Sequence, residues 1–276
     1  MSVLIHEMLQ SNYPLLSEAL KSKVQEAAKA KKIFILAASC CKRCLQNIFN
    51  NPPAAEPRVS GLWLLILVKE YHKNLSDIET HIEELCKEFL PVVATVLPTQ
   101  LFCEWISIGH AFAWKVQTQA ALIYDDEQTV LPAANPPPER KAEREKMFCE
   151  ASNRAEEFLA GANFFHLRKQ NKLAVFMLHQ AAEQCLRTLL KLATGYHCNT
   201  HSIEKLVKYN SLLYPCIAEL FPQQTQKEIH RSQLLQKAYI DSRYKDDYVI
   251  HQHDLGILLQ RVSRLREEFV KVGWGE

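Results

Sequence analysis

Glycine is scarce in this chain, with seven in 276 residues, which excludes a collagen-like or glycine-rich fibrous protein. Net charge is also lacking: 33 basic against 31 acidic residues leave +2. There is no global field to hold a polyanion, so any nucleic-acid contact has to be local. The longest apolar run, Leu62 to Val68, is far short of the ~20 residues that span a bilayer, and no membrane partner is expected. Met1 to Glu7 have neither a charged stretch nor an uninterrupted apolar one, so no secretory leader is expected. The nine cysteines are odd in number and mostly embedded in apolar helical patterns, as reduced core thiols are, which points to the cytoplasm. What the chain does have is 47% hydrophobic content and enough length for two domains, the profile of a helix-rich globular protein.

The strongest boundary is Leu131-Pro132-Ala133-Ala134-Asn135-Pro136-Pro137-Pro138, where prolines remove donors and extend the chain. A first domain is therefore expected over 1–131, a linker over 132–138 and a second domain over 139–276. In the first, Lys32–Ala37, Leu62–Val68 and Val92–Leu97 read as buried strands and Ala121–Tyr124 as a short last one. Helices are expected over about Cys40–Phe49, from a capping box at Ser76-Asp77-Ile78-Glu79 with Ile78, Ile82, Leu85 and Phe89 inward, and over Trp105–Gln119. In the second, every long segment has helical period: Glu139–Lys169, Lys172–Ala193 ending at Gly195, a short helix after Thr200, one opened by the capping box Thr225-Gln226-Lys227-Glu228 and reaching Arg243, and Asp254–Val272. The fold class is α+β, a small α/β layer followed by an all-α bundle.

The helix over Lys172–Ala193 carries His179, Glu183 and Arg187 at i, i+4 and i+8, one row on an otherwise apolar element. Such a row belongs to an interface or a site and not to bulk water. Two readings stand for each residue. His179 is either a hydrogen-bonded core histidine, with Glu183 fixing its tautomer, or a ligand contact. His201 either helps to cap its helix or reaches a ligand. Arg243 and Lys245 either complement a helix dipole for ~0.3–1 kcal/mol or bind an anion. Cys40-Cys41-x-x-Cys44 has half of a zinc spacing but no second pair, and His197, His201, His251 and His253 have no acidic or thiol partner at metal-binding spacing. Neither a metal nor a cofactor is expected.

His179-Gln180-Ala181-Ala182-Glu183, Thr194-Gly195-Tyr196, Thr200-His201-Ser202 and Ser242-Arg243-Tyr244 follow the order and spacing of the sacsin-like branch of the HEPN family, which the second half resembles. The resemblance implies a helical bundle that pairs as a homodimer and binds a nucleotide or another phosphate-bearing small molecule. His179, Glu183, His201, Arg243 and Lys245 would be its ligand-binding residues. Another branch consists of metal-independent ribonucleases with an Arg, four to six intervening residues and a His, which here would make Arg243 and His251 the catalytic candidates and RNA a partner. Seven residues separate them instead, and Asp246 and Asp247 put negative charge where RNA phosphate would lie. The alternatives to ligand binding are therefore a metal-independent RNA endonuclease of a toxin or defence system and a non-catalytic interaction scaffold.

The first half resembles a polymerase-beta-type nucleotidyltransferase domain, which implies a Gly-Ser turn for a triphosphate and a carboxylate pair for Mg²⁺. Ala38-Ser39 keeps only the serine, and Ser60-Gly61-Leu62-Trp63-Leu64 stands where the acidic pair would be, so the implied domain is inactive. An unrelated small α/β domain is the competing reading of the same runs.

Overall fold

The computed structural model of the protein describes residues 14–41, 58–69 and 74–274. The chain divides into two compact units, Met1–Pro138 and Glu139–Glu276. The first is a sheet covered by helices and the second, among the described residues, is helical, giving an α+β protein.

In chain order the first unit contains α1 (Pro14–Ala28), β1 (Lys32–Cys41), β2 (Arg58–Val68), α2 (Leu75–Cys86), β3 (Val92–Pro98), α3 (Thr99–Ser107), α4 (Ala111–Gln119) and β4 (Ala121–Asp125). The strand order is β3-β2-β1-β4. β1 runs antiparallel to both its neighbours, while β2 and β3 are parallel and joined through α2. The apolar run in β2 follows from its place in the sheet. Leu62, Leu64, Ile66 and Val68 pack on one face with Leu20 and Val24 of α1 and Ile78 and Ile82 of α2. Trp63, Leu65 and Leu67 alternate onto the other face and are buried as well. A strand covered on both faces loses the polar alternation of a surface strand. Each such Leu or Ile contributes roughly 1.5–3 kcal/mol by leaving water.

Several expectations are corrected here. Cys40 and Cys41 do not open a helix: Cys40 pairs with Val59 and Cys41 with Arg58, so β1 continues through them, and the rest of Cys40–Phe49, with Cys44, lies outside the described residues. Ala38-Ser39 is not a turn, because Ala38 pairs with Leu62 and Ser39 with Gly61 inside the ladder. Ser76 does not cap α2. Asn74 does, its side chain accepting from Ser76 N at 3.2 Å, while Glu79 accepts the amide of Val96 on β3 at 2.9 Å. Phe89 falls beyond the end of α2 and is exposed, and Cys86 and Leu90 are buried in its place. Trp105–Gln119 is two helices, α3 and α4, broken at Gly109, whose φ of 66° is the left-handed conformation glycine accepts at least cost. Gln117 Nε2 on α4 donates to the Pro132 carbonyl at 2.6 Å.

The second unit contains α5 (Lys141–Leu167), α6 (Asn171–Thr194), α7 (Ile203–Ser211), α8 (Pro215–Leu220), α9 (Gln226–Tyr244) and α10 (Gln252–Trp274). α6 is the central helix and touches α5, α7, α9 and α10. It ends at Gly195, left-handed at φ 83°, whose amide donates to Lys191 O. The capping box of Thr225 and Glu228 at the start of α9 is complete in both directions. α10 buries Leu255, Leu258, Leu259, Val262, Leu265 and Phe269. On α6, Leu173 lies on the surface, at the outer edge of a face that otherwise closes around Ala174, Val175, Leu178 and Leu186.

Candidate functional site

Glu183 is the hub. Its side chain is 3% exposed and accepts from two directions: Arg187 Nη2 at 2.7 Å, one helical turn on, and His201 Nδ1 at 3.1 Å to each carboxylate oxygen. His179 Nε2, one turn back, stands 3.5 Å from Glu183 Oε2. Burial alone would push this carboxyl up. The hydrogen bond from His201 and the positive charge of Arg187 outweigh it and hold Glu183 below the ordinary carboxylate range. The i, i+4, i+8 spacing on α6 is what brings His179, Glu183 and Arg187 into one line.

The row divides by accessibility. His179 is enclosed, 0% exposed, and Nδ1 donates to the carbonyl of Leu235 on α9 at 2.9 Å, since a carbonyl can only accept. It is a core histidine that ties α6 to α9. His201 is 55% exposed at its side chain and does not cap α7; Ser202 does, accepting from Lys205 N at 3.2 Å. The segment before α7 is latched twice. Arg187 Nη2 donates to Thr200 O at 2.6 Å, and Gln236 Oε1 on α9 accepts from Ser202 Oγ at 3.3 Å and Glu204 N at 3.0 Å. These latches hold the His201 ring flat on Tyr239, with centroids 4.5 Å apart and planes 8° from parallel. His197 sits in the same segment, its pKa lowered by burial and by the positive charges of Lys191 and Arg187.

Tyr239 also carries Arg243. Four residues apart on α9, they put the guanidinium carbon 4.6 Å from the Tyr239 centroid and 5.1 Å from the rings of both Phe176 and Tyr244. Arg243 Nε donates to Tyr239 O at 2.7 Å. Arg243 is exposed, and among the described residues it forms no ion pair. Lys245, by contrast, is committed to Asp241 at 3.1 Å. His251 is exposed just before α10, its carbonyl accepting from Leu255 N, and no hydrogen bond, ion pair or ring contact joins it to Arg243. α9 stops at Tyr244, and Lys245 is already extended, so the residues between the two form a turn anchored by Lys172 Nζ on the carbonyls of Lys245 and Asp246. The structure thus gathers Glu183, His201 and Arg243 around Tyr239 and leaves His251 elsewhere. Tyr239 and Gln236 went unread in the sequence; the i, i+4 spacing of Tyr239 and Arg243 was the available signal.

Residues 150–272 match the HEPN domain model. The second unit carries a HEPN domain, and both halves of the site, the α6 row and the Tyr239 to Arg243 turn of α9, lie inside it. Among solved structures, a nucleotidyltransferase-like protein from Exiguobacterium sibiricum 255-15 is 13% identical, over 93% of this chain and 76% of that one, with a TM-score of 0.32. A superposition that loose does not by itself establish a shared fold. No curated protein matches the chain.

In the first unit Ser60, Leu62 and Leu64 present no acid. Leu62 and Leu64 are wholly buried in the core, and Ser60 Oγ hydrogen-bonds Ser39 Oγ at 2.8 Å. Among the described residues no group of three or more His, Cys, Asp or Glu side chains is placed to hold a metal ion. Buried thiols are held protonated, Cys86 pushed up to about 11 and Cys185 to about 12. No helix of the described residues is long and apolar enough to cross a membrane.

Proposed function

We propose that the HEPN domain binds a nucleotide or another phosphate-bearing ligand on the face built around Tyr239. The observation that carries this reading is Arg243. An exposed guanidinium that has no carboxylate partner and is held against aromatic rings has lost much of its rotamer freedom before any ligand arrives. Only Nε is engaged, which leaves the two terminal nitrogens to grip phosphate oxygens. The neighbouring rings of His201 and Tyr244 supply stacking surface for a base, worth ~1–3 kcal/mol per stacked base where it forms. Glu183 and Arg187 act one layer below, fixing His201.

The amino-terminal unit is read as a nucleotidyltransferase-like scaffold without transfer activity, because Ser60, Leu62 and Leu64 offer a Mg²⁺ ion no carboxylate. The domain is read as working as a cytoplasmic homodimer; the exposed Phe164, Leu167, Leu173 and Ile240 of the HEPN domain suit such pairing.

The direct experiment is to denature metal-free protein as purified and separate what it releases. A released nucleotide, absent from an Arg243→Ala preparation, is the expected result. If the wild type releases none and binds none of a panel of mono-, di- and triphosphates, the reading is wrong.

A further inference from the structure

α6 and α9 touch in antiparallel order at the end that carries Arg243. The rings of His179 and Tyr239 have centroids 5.4 Å apart, and the Arg243 guanidinium carbon lies 5.1 Å from the Phe176 centroid. One turn before Phe176, Lys172 Nζ donates to the carbonyls of Lys245 at 2.9 Å and Asp246 at 3.0 Å. Lys172, Phe176 and His179 follow one another along a single face of α6, so the face that supports Arg243 also grips the chain leaving α9.

The turn after α9 is secured differently on its two sides. The far side is anchored in the interior: Tyr248 Oη donates to Leu234 O at 2.8 Å, Asn171 Nδ2 donates to Ile250 O at 3.0 Å, and Tyr248 and Ile250 are buried. The near side, directly after Arg243 and Tyr244, is exposed, and among the described residues Lys172 is the one donor to the carbonyls of Lys245 and Asp246. The bond from Lys245 N to Asp241 O at 3.0 Å and the ion pair of the same two residues at 3.1 Å stay within the last turn of α9 and tie it to no other helix. A last turn frays where its exit is not held, and Arg243 lies in that turn.

From this register we infer that Lys172 is a positioning residue of the phosphate site: by holding the exit of α9 it keeps Arg243 against Phe176 and Tyr239 before a ligand arrives. The inference rests on the phosphate-binding reading above and adds the residue that prepares the site. Lys172 does not grip the ligand, because its ammonium is spent on two carbonyls. Its contribution is to spare the ligand the cost of ordering a long, flexible cation.

A double-mutant cycle on the full-length protein, titrated with a fluorescent ATP analogue in EDTA, tests this. Lys172→Met keeps the aliphatic stem, removes the donor, and is expected to fold as the wild type at this partly exposed position. Releasing one rotamer-rich side chain before binding weakens it by about three- to tenfold, the loss expected of Lys172→Met. Because Lys172 acts through Arg243, adding Lys172→Met to Arg243→Ala is expected to change binding by less than about twofold. A clamp that served the fold alone would lower the urea midpoint and leave the dissociation constant of Lys172→Met at the wild-type value; that result overturns the inference and leaves the phosphate reading standing. Losses that multiply in the double variant do the same. Failure of the wild type to bind, or Arg243→Ala binding as tightly as it, overturns both.

Discussion

Trp63 in the first unit and Glu183 in the HEPN domain both place a polar group in the core, and they are completed in different ways. Trp63 Nε1 donates to Thr95 Oγ1 at 3.0 Å, and both side chains are buried. Glu183 is as deeply buried, but one of its partners, His201, is more than half exposed. The first unit pairs other polar groups within itself, some with one member partly exposed. Lys32 meets Asp125 at 2.6 Å, Lys31 meets Asp126 at 2.8 Å, and Glu79 and Glu83 accept the amides of Val96 and Ala94. The last pair is geometric. Four residues of a helix rise about 6 Å, close to the ~6.6 Å between alternate residues of a strand, so carboxylates at i and i+4 cap alternate amides. The contrast is between a polar pair whose two side chains are both buried and a buried carboxylate one of whose partners is more than half exposed, where a ligand can reach it.

The largest test of the contrast is Glu183→Ala, which strands Arg187 and both histidines. Losing one member of a buried charged cluster costs ~3–5 kcal/mol, read by urea unfolding of the full chain. A loss under ~1 kcal/mol would mean that the cluster does not hold the domain together. Thr95→Val is next, since it leaves the buried Trp63 N–H without this acceptor for ~1–3 kcal/mol. It is expected to leave nucleotide binding untouched; a binding defect would break the separation of closed from open networks. Glu79→Ala with Glu83→Ala removes the carboxylates to which the amides of Val96 and Ala94 donate on β3, an edge strand among the described residues. Water can satisfy them, so stability falls by only ~0.5–1.5 kcal/mol per bond, and the larger expected change is self-association in sedimentation through the uncapped edge. An unchanged sedimentation profile would show that the edge needs no guard.

Both units also hold a carboxylate below its ordinary range, and each contributes stability that acid removes. Burial pushes Asp126 up, but hydrogen bonds from Lys31, from the Thr129 side chain and from the amides of Thr129 and Gln128 bring it from 3.8 to about 2. A depressed folded pKa means the stabilisation is complete above the ordinary value and is lost as pH falls from 3.8 toward about 2. Asp126→Asn is expected to flatten the fall of the melting temperature across that window. An unaltered slope would assign the acid sensitivity to other groups. For Glu183 the sign is the same, with the loss setting in below its ordinary value of 4.5.

Much of this was legible in the residues. Lys32–Ala37, Leu62–Val68 and Val92–Leu97 read as strands because two covered faces leave nothing but apolar side chains. The capping box at Thr225 and the stop at Gly195 are local chemistry and read locally. Other features needed partners. α1 went unread because its buried stripe is only Leu20, Val24 and Ala28, and α8 because six residues are too few for a period. The length of β1 is decided by pairing with β2, and Glu79 prefers a strand amide to its own helix end. In the site, the α6 row follows from spacing alone, but the stacking of His201 on Tyr239 joins residues 38 positions apart through latches that no local pattern announces.

The central claim is that Arg243, and not an Arg243 to His251 pair, makes the phosphate site. Equilibrium titration of the full-length protein with a fluorescent ATP analogue in EDTA tests it most directly, comparing wild type, Arg243→Ala and His251→Ala. The account predicts that Arg243→Ala weakens binding by ~10-fold or more, the ~1.5–3 kcal/mol of a charge-assisted hydrogen bond, and that His251→Ala stays within about twofold of wild type. Arg243→Ala binding as tightly as wild type would contradict it. So would metal-independent cleavage of single-stranded RNA that both substitutions abolish.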